Sequence, residues 1–122
     1  VTVVSAGSGY VATLELLERG DLPVQDVVFL DSLYAGNRQL LEWVGSSEER
    51  RVFVVYHPSG MTRITSRFLL YRGLLRAPHV EPRSFELGQS VGDSRILVVR
   101  AETSPLDIPK TYFEGALRAL AR

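Results

Sequence analysis

The chain alternates between short apolar runs and longer amphipathic segments, a pattern typical of β-strands that are each followed by an α-helix. Four runs rich in β-branched residues predict strands, because each is short and bounded by small or polar residues: residues 1–4, 27–30, 51–56 and 96–99. The inner runs are apolar at consecutive positions, not at alternate ones. This favours parallel strands that are covered by helices on both faces.

The apolar residues in the segments between the strands recur at helical spacing, which predicts that these segments are helices. The recurrence of Val11, Leu14 and Leu17 predicts a helix over residues 10–19 with these side chains on its buried face. Gly20 follows as a stop signal.

The same spacing predicts three further helices, over residues 37–44, over residues 61–75 and from residue 107 onward. Asn37 is expected to cap the first of them, and Asp107 and Pro109 to start the last. The last helix is expected to bury four residues: Phe113, Ala116, Leu117 and Leu120. Residues 77–92, rich in Pro and Gly, are predicted to be an irregular loop with one edge strand near residues 84–87.

This order of elements predicts an α/β fold with a mostly parallel sheet in a three-layer α/β/α sandwich, Rossmann-like or α/β-hydrolase-like. We expect a single domain over residues 1–122. Because Val1 already lies in a predicted strand, we expect this domain to be a fragment or a processed part of a longer hydrolase-like chain. The Val1–Val4 strand is expected at a sheet edge, where the preceding segment or a second subunit would pair with it.

Composition narrows the classes of partner. Fourteen basic residues balance fourteen acidic residues, which gives no electrostatic reason to expect a nucleic-acid or membrane partner. The chain has no cysteine, and His57 and His79 lack a ligand-like spacing with acids, so neither a metal nor another cofactor is expected. No apolar run approaches the ~20 residues of a membrane span. We expect a soluble domain; the compartment, cytoplasmic or exported, stays open.

Candidate chemistry follows from topology, because ligands of parallel sheets bind beyond the carboxyl ends of the strands. Ser8 follows the first strand in the small-residue turn 5–9, Asp31 ends the second strand and His57 ends the third. They are predicted to form a nucleophile, acid and base for hydrolysis of an ester or amide. Four residues are predicted to supply oxyanion N–H groups or to line the ligand: Gly7, Gly9, Tyr10 and Tyr34. The alternative is purely structural: Ser8 caps a helix, Asp31 caps a turn, and His57 precedes Pro58 in a plain turn.

A dinucleotide fingerprint is the second interpretation of the same turn. Residues 7–12 fit the pattern G-x-G-x-x-A, and Asp31 lies near the position of the acid that binds a ribose hydroxyl. Ser5 and Ala6 stand between the predicted strand and the first glycine, whereas that glycine normally follows the strand directly.

Nearly the whole chain resembles the C-terminal half of the α/β-hydrolase superfamily. Residues 3–10 are similar to the nucleophile strand and elbow, and residues 28–36 to the next strand with its terminal acid. Residues 52–60 are similar to the following strand and turn, and residues 96–112 to the last strand with its loop. The resemblance implies a serine hydrolase with a small-molecule substrate.

The chain departs from the superfamily pattern at two places. The elbow pattern is small-x-nucleophile-x-small. If Ser5 and Gly9 are its small residues, the nucleophile position falls on Gly7. A shift of the pattern by one residue places Ser8 at the nucleophile position. The loop over residues 102–107, which the resemblance assigns to the catalytic histidine, contains none. Three interpretations therefore stay open: an active serine hydrolase, an inactive hydrolase-like domain that binds a ligand or a protein, and a Rossmann-like nucleotide-binding domain.

Overall fold

The computed structural model describes residues 1–63, 65–66 and 95–121. Within them, four strands lie side by side in chain order, and every neighbouring pair is parallel. The strands are β1 (Thr2–Ala6), β2 (Asp26–Leu30), β3 (Arg51–Tyr56) and β4 (Ile96–Arg100). The same residues include three α-helices: α1 (Tyr10–Arg19), α2 (Asn37–Gly45) and α3 (Ile108–Leu120). The protein thus has a small α/β fold with a parallel sheet, which confirms the predicted class and is compatible with a Rossmann-like fold.

The continuous apolar runs in β2, β3 and β4 are explained by helices that pack on both faces of the sheet. Val27 and Phe29 of β2 face a cluster that includes apolar residues of α1 and α2. Val28 and Leu30, the alternate residues of the same strand, face a cluster built with α3. Because successive strand residues point to opposite faces, a strand covered on both sides has no solvent-facing position to fill with a polar residue.

Helix α1 has the predicted bounds, and Gly20 ends it in the left-handed conformation with φ 70°. The prediction that Val11 lies on the buried face is wrong, since 51% of its surface is exposed. Leu14 and Leu17 pack against the core as predicted, and Thr13 is the buried residue of the helix. One residue advances a helix by about 100°, so a narrow contact stripe leaves Val11 on its outer side.

Helix α2 starts differently from the prediction. Gly36, with φ 89°, occupies the N-cap position, and Asn37 is the first helical residue. The Asn37 side chain does not cap the helix; its Nδ2 donates a hydrogen bond to the carbonyl oxygen of Thr65. A Cβ at position 36 would overlap the side chain of Leu14, so glycine is needed here both for its φ and for the close approach of α1.

Helix α3 packs against β2 and β3 through a strict i, i+4 row of buried side chains: Ile108, Tyr112, Ala116 and Leu120. The prediction that Phe113 and Leu117 belong to this row is wrong, because they are 46% and 37% exposed. They lie one position beyond the row, whereas Tyr112 is buried with its hydroxyl oxygen accepting the N–H of Glu102 at 3.1 Å.

Two other predictions fall largely outside the described residues. The helix predicted over residues 61–75 is described only at positions 61–63, 65 and 66, where Met61 lies in a turn and the other four residues are helical. The loop predicted over residues 77–92, with its edge strand and His79, lies wholly outside them.

Candidate functional site

The carboxyl edge of the sheet collects the residues that follow all four strands. The register aligns the strand ends in one row: Ala6, Leu30, Val55 and Val99. Ser8, Asp31 and His57 each come within two residues of the end of their strand, and β1, β2 and β3 are neighbours. The three predicted catalytic residues therefore emerge at one edge from adjoining strands. Their chemical roles stay predictions.

The turn after β1 is a short 3-10 helix over Gly7–Gly9 that leads directly into α1. Its left-handed residue is Gly7, with φ 56°. In a nucleophile elbow the serine itself occupies the strained position of the strand-to-helix turn, which holds its hydroxyl over the sheet. Here that conformation falls on a residue without a side chain. Ser8 follows it, exposed to solvent and without a capping hydrogen bond to α1.

A chain of hydroxyl hydrogen bonds joins the β1 turn to the β2 turn. The Ser32 hydroxyl donates to the carbonyl oxygen of Gly7 at 2.7 Å. Because its one proton is used there, Ser32 accepts from the Ser5 hydroxyl, also at 2.7 Å. Both serines are buried. Sequence reasoning did not find this pair; the available signal was a small hydroxyl residue at the end of each of two neighbouring strands.

Asp31 adopts the left-handed conformation with φ 52°, which is uncommon for a residue other than glycine and marks a constrained turn. Its Oδ1 accepts a hydrogen bond from the buried Thr62 hydroxyl. Its backbone N–H donates to the carbonyl oxygen of Val55 at 2.8 Å. Asp31 therefore fastens the end of β2 both to β3 and to the segment after it. Thr62 was missed from the sequence because it lies in an otherwise ordinary helical stretch.

His57 is held by its own turn. Its Nδ1 accepts the backbone N–H of Ser59 at 3.1 Å, and the proton of the neutral ring therefore resides on Nε2. Among the described residues, no hydrogen bond joins His57 to Asp31 or to Ser8. A serine-hydrolase triad needs the opposite arrangement, in which Nδ1–H donates to the acid and Nε2 accepts from the serine.

The predicted lining residues Tyr10 and Tyr34 come together. Their ring centroids are 5.6 Å apart and their planes are inclined by 50°. Tyr34 is 41% exposed, so the pair offers an aromatic surface between the start of α1 and the loop after β2. Tilted aromatic pairs of this kind contribute about 0.5–1.5 kcal/mol beyond the burial of their surface.

A cleft of about 380 Å³ opens at the carboxyl ends of β3 and β4. Six residues line it: His57, Pro58, Arg100, Ala101, Glu102 and Thr103. Its volume lies within the range of small-molecule sites. Of the residues proposed from sequence to act chemically, His57 alone borders this cleft, while Ser8 and Asp31 do not line it.

The described part of the chain shows neither a metal site nor a membrane-spanning helix. It contains no group of three acidic or histidine side chains placed to hold a metal ion. It also contains no helix with the length and apolar character that crossing a bilayer requires.

No protein-family model, curated protein or solved structure matches this chain.

Proposed function

We propose that the chain is a hydrolase-like α/β domain that binds a small ligand at the carboxyl edge of its sheet and does not act as a serine hydrolase. The observation that carries this proposal is the position of the backbone strain in the first turn. The left-handed residue is Gly7, and a residue without a side chain cannot present a nucleophile. Ser8, one position later, lies in a 3-10 turn and is exposed.

The hydrogen bonds of the other two triad candidates support the same conclusion. The Nδ1 of His57 accepts a backbone N–H, so it has no proton to donate to an acid. Asp31 Oδ1 is engaged by Thr62. Both groups stabilise local turns, and this role requires no relay to a serine.

The hydrolase-like part of the proposal rests on topology. The resemblance implies four successive parallel strands, and the described strands lie in the order β1-β2-β3-β4. The packing of α1 and α2 on one face and α3 on the other supports a three-layer arrangement. The carboxyl edge is where such sheets bind ligands.

A fluorophosphonate probe tests the absence of an active serine. We expect no labelling of the folded protein under conditions that label an unrelated serine hydrolase to completion. Ser8→Ala serves as the matched control, since the Ser8 side chain is exposed and forms no hydrogen bond with another described residue. Labelling of the wild-type chain that disappears in Ser8→Ala would overturn the proposal and establish a serine hydrolase.

Dinucleotide binding remains a second candidate, and one observation favours it. β1 extends to Ala6, so Gly7 follows the strand directly, as the fingerprint requires. Against it, dinucleotides bind where the strand order reverses, and the described strands run in sequence without a reversal. Thermal stabilisation by NAD that is lost on replacing Asp31 by Asn would favour this function over the first.

We also propose that a second copy of the chain pairs with the outer edge of β1. This strand lies at one end of the described sheet, and Thr2–Ala6 contains no charged residue. Uncharged edge strands favour pairing with another strand, whereas an edge lysine opposes it. Sedimentation should show a dimer that Thr2→Lys dissociates and that Val11→Lys, at an exposed position of α1, leaves intact. A monomeric wild-type protein at all concentrations would contradict this proposal.

A further inference from the structure

The cleft at the carboxyl ends of β3 and β4 brings together a cation, an anion and a hydroxyl that form no ion pair or hydrogen bond with one another. Arg100 and Glu102 both line it and both are exposed. Within the described part of the chain, neither forms an ion pair, although three other arginines do. Opposite charges that share a cleft without pairing leave room for a ligand that meets both.

Thr103 supplies the second independent observation. Its Oγ1 is buried and has no hydrogen-bond partner among the described residues. Buried hydroxyls are normally hydrogen-bonded, and each exception calls for a physical reason. Since the residue lines the cleft, rotation about its Cα–Cβ bond would turn the hydroxyl toward a ligand there. Such a rotation would break no hydrogen bond to a described residue.

The remaining lining groups define the polarity of the cleft. Pro58 and Ala101 are its apolar residues. The backbone N–H of Glu102 is already bonded to the Tyr112 hydroxyl, and that of Ala101 to the carbonyl oxygen of Tyr56. Two backbone N–H groups of the cleft are therefore already used, whereas its polar side chains can recognise a ligand.

From these groups we infer that the cleft binds a small organic monocarboxylate that also carries a hydroxyl or amino group. The planar guanidinium of Arg100 matches a carboxylate with two parallel hydrogen bonds. When ionised, Glu102 can accept hydrogen bonds but cannot donate them. The second group of the ligand, which meets Glu102, must therefore be a donor. The Glu102 charge also disfavours a dianion such as phosphate. This inference rests on the proposed ligand-binding function of the carboxyl edge and names the class of ligand.

Amide chemical shifts of isotope-labelled protein provide the test, with lactate, glycine, acetate and inorganic phosphate as probes. Lactate or glycine should give saturable shifts confined to the amides of His57 and of residues 100–103, since Pro58 has no amide N–H. Acetate, which lacks the second group, and phosphate should bind more weakly. No saturable shift with lactate or glycine, or tighter binding of phosphate, would overturn the inference.

Variants assign the contacts. Arg100→Gln should weaken lactate binding by about tenfold or more, because a hydrogen bond to a charged group is lost. Glu102→Gln should reduce the preference for lactate or glycine over acetate. Arg118→Gln is the matched control: it removes an exposed arginine of α3 that pairs with Glu114 outside the cleft. Equal affinities in Arg100→Gln and Arg118→Gln would contradict the assignment.

Thr103→Val separates binding from stability. Removing a buried, unpaired hydroxyl should raise the melting temperature of the free protein. The same change should weaken lactate binding, so the two readouts move in opposite directions. The outcome is also independent of the fluorophosphonate experiment: labelling of Ser8 would end the non-catalytic proposal but leave a measured carboxylate site in place.

Discussion

The two ends of the sheet use their charged side chains in opposite ways. At the amino ends of the strands, Arg51 and Asp26 form a buried two-point ion pair, with Nε–Oδ1 and Nη2–Oδ2 distances of 2.8 and 3.2 Å. At the carboxyl ends, Arg100 and Glu102 are exposed and, among described residues, have no ion-pair partner. The first pair stabilises the fold, whereas the second leaves its charges available to a ligand.

Arginines at the amino edge also bind the carboxyl ends of helices. Arg51 Nη2 donates to the carbonyl oxygen of Leu120, the last residue of α3, at 2.5 Å. Arg95 donates to the carbonyl oxygens of Val44, in the last turn of α2, and of Ser47, just beyond it. A cation at a helix carboxyl end satisfies free carbonyl groups and interacts favourably with the helix dipole. The difference between the edges teaches that the buried ion pair and the arginine contacts to helix ends lie at the amino edge, whereas the arginine and glutamate of the carboxyl-edge cleft are exposed.

The largest effect should follow from breaking the buried ion pair. Arg51→Met removes a cation and both guanidinium hydrogen bonds from the buried Asp26 carboxylate, and we expect the free energy of unfolding to fall by about 3–5 kcal/mol. Urea denaturation measures the change. Arg38→Met is the control, because Arg38 and Glu42 form an exposed helix pair whose loss changes stability by about 0.5 kcal/mol or less. Similar losses in the two variants would mean that the amino edge has no special role.

A smaller effect is expected from the hydroxyl chain at the carboxyl edge. Ser32→Ala removes the bond to Gly7 and leaves the buried Ser5 hydroxyl without its acceptor. We expect a loss of about 2 kcal/mol in urea denaturation. The exposed Ser8→Ala should stay within about 0.5 kcal/mol of the wild type. If Ser8→Ala were the more destabilising of the two, the structural role assigned to Ser32 would be wrong.

The smallest effect concerns the strained turn itself. Gly7→Ala puts a side chain at φ 56° in open space, so only backbone strain opposes it, and we expect a loss of about 1 kcal/mol. Gly45→Ala, in α2 and equally free of neighbours, should instead stabilise the protein by up to about 1 kcal/mol. Thermal unfolding of both variants, compared with the wild type, measures the difference in sign.

The fold was predictable because its strongest signals are local. Consecutive apolar residues in β2 and β3 predict a sheet covered on both faces, and Gly20 predicts the end of α1. The buried face of helix α3 could not be predicted as well as the position of the helix. Phe113 is more apolar than Tyr112, yet Tyr112 is the buried residue because its ring lies in the i, i+4 row and its hydroxyl has a backbone partner.

The candidate site was predictable only as a location. Strand ends placed Asp31 and His57 at one edge, since that follows from parallel topology. The hydrogen bonds of Asp31 with Thr62 and of His57 with Ser59 could not be predicted in the same way. They depend on the conformations of the turns after the strands, for which the sequence shows no recurring pattern. The bonding of Ser5 to Ser32 likewise depends on the register of two strands that lie far apart in the chain.

Gly36 has a consequence for how this protein could vary. Its missing side chain lets Leu14 of α1 rest against the start of α2, so a single hydrogen atom sets the spacing of two helices. A larger residue there would have to adopt φ 89° and would force the Leu14 side chain into another rotamer. Position 36 bears no chemistry, yet a substitution there should disturb the packing between α1 and α2.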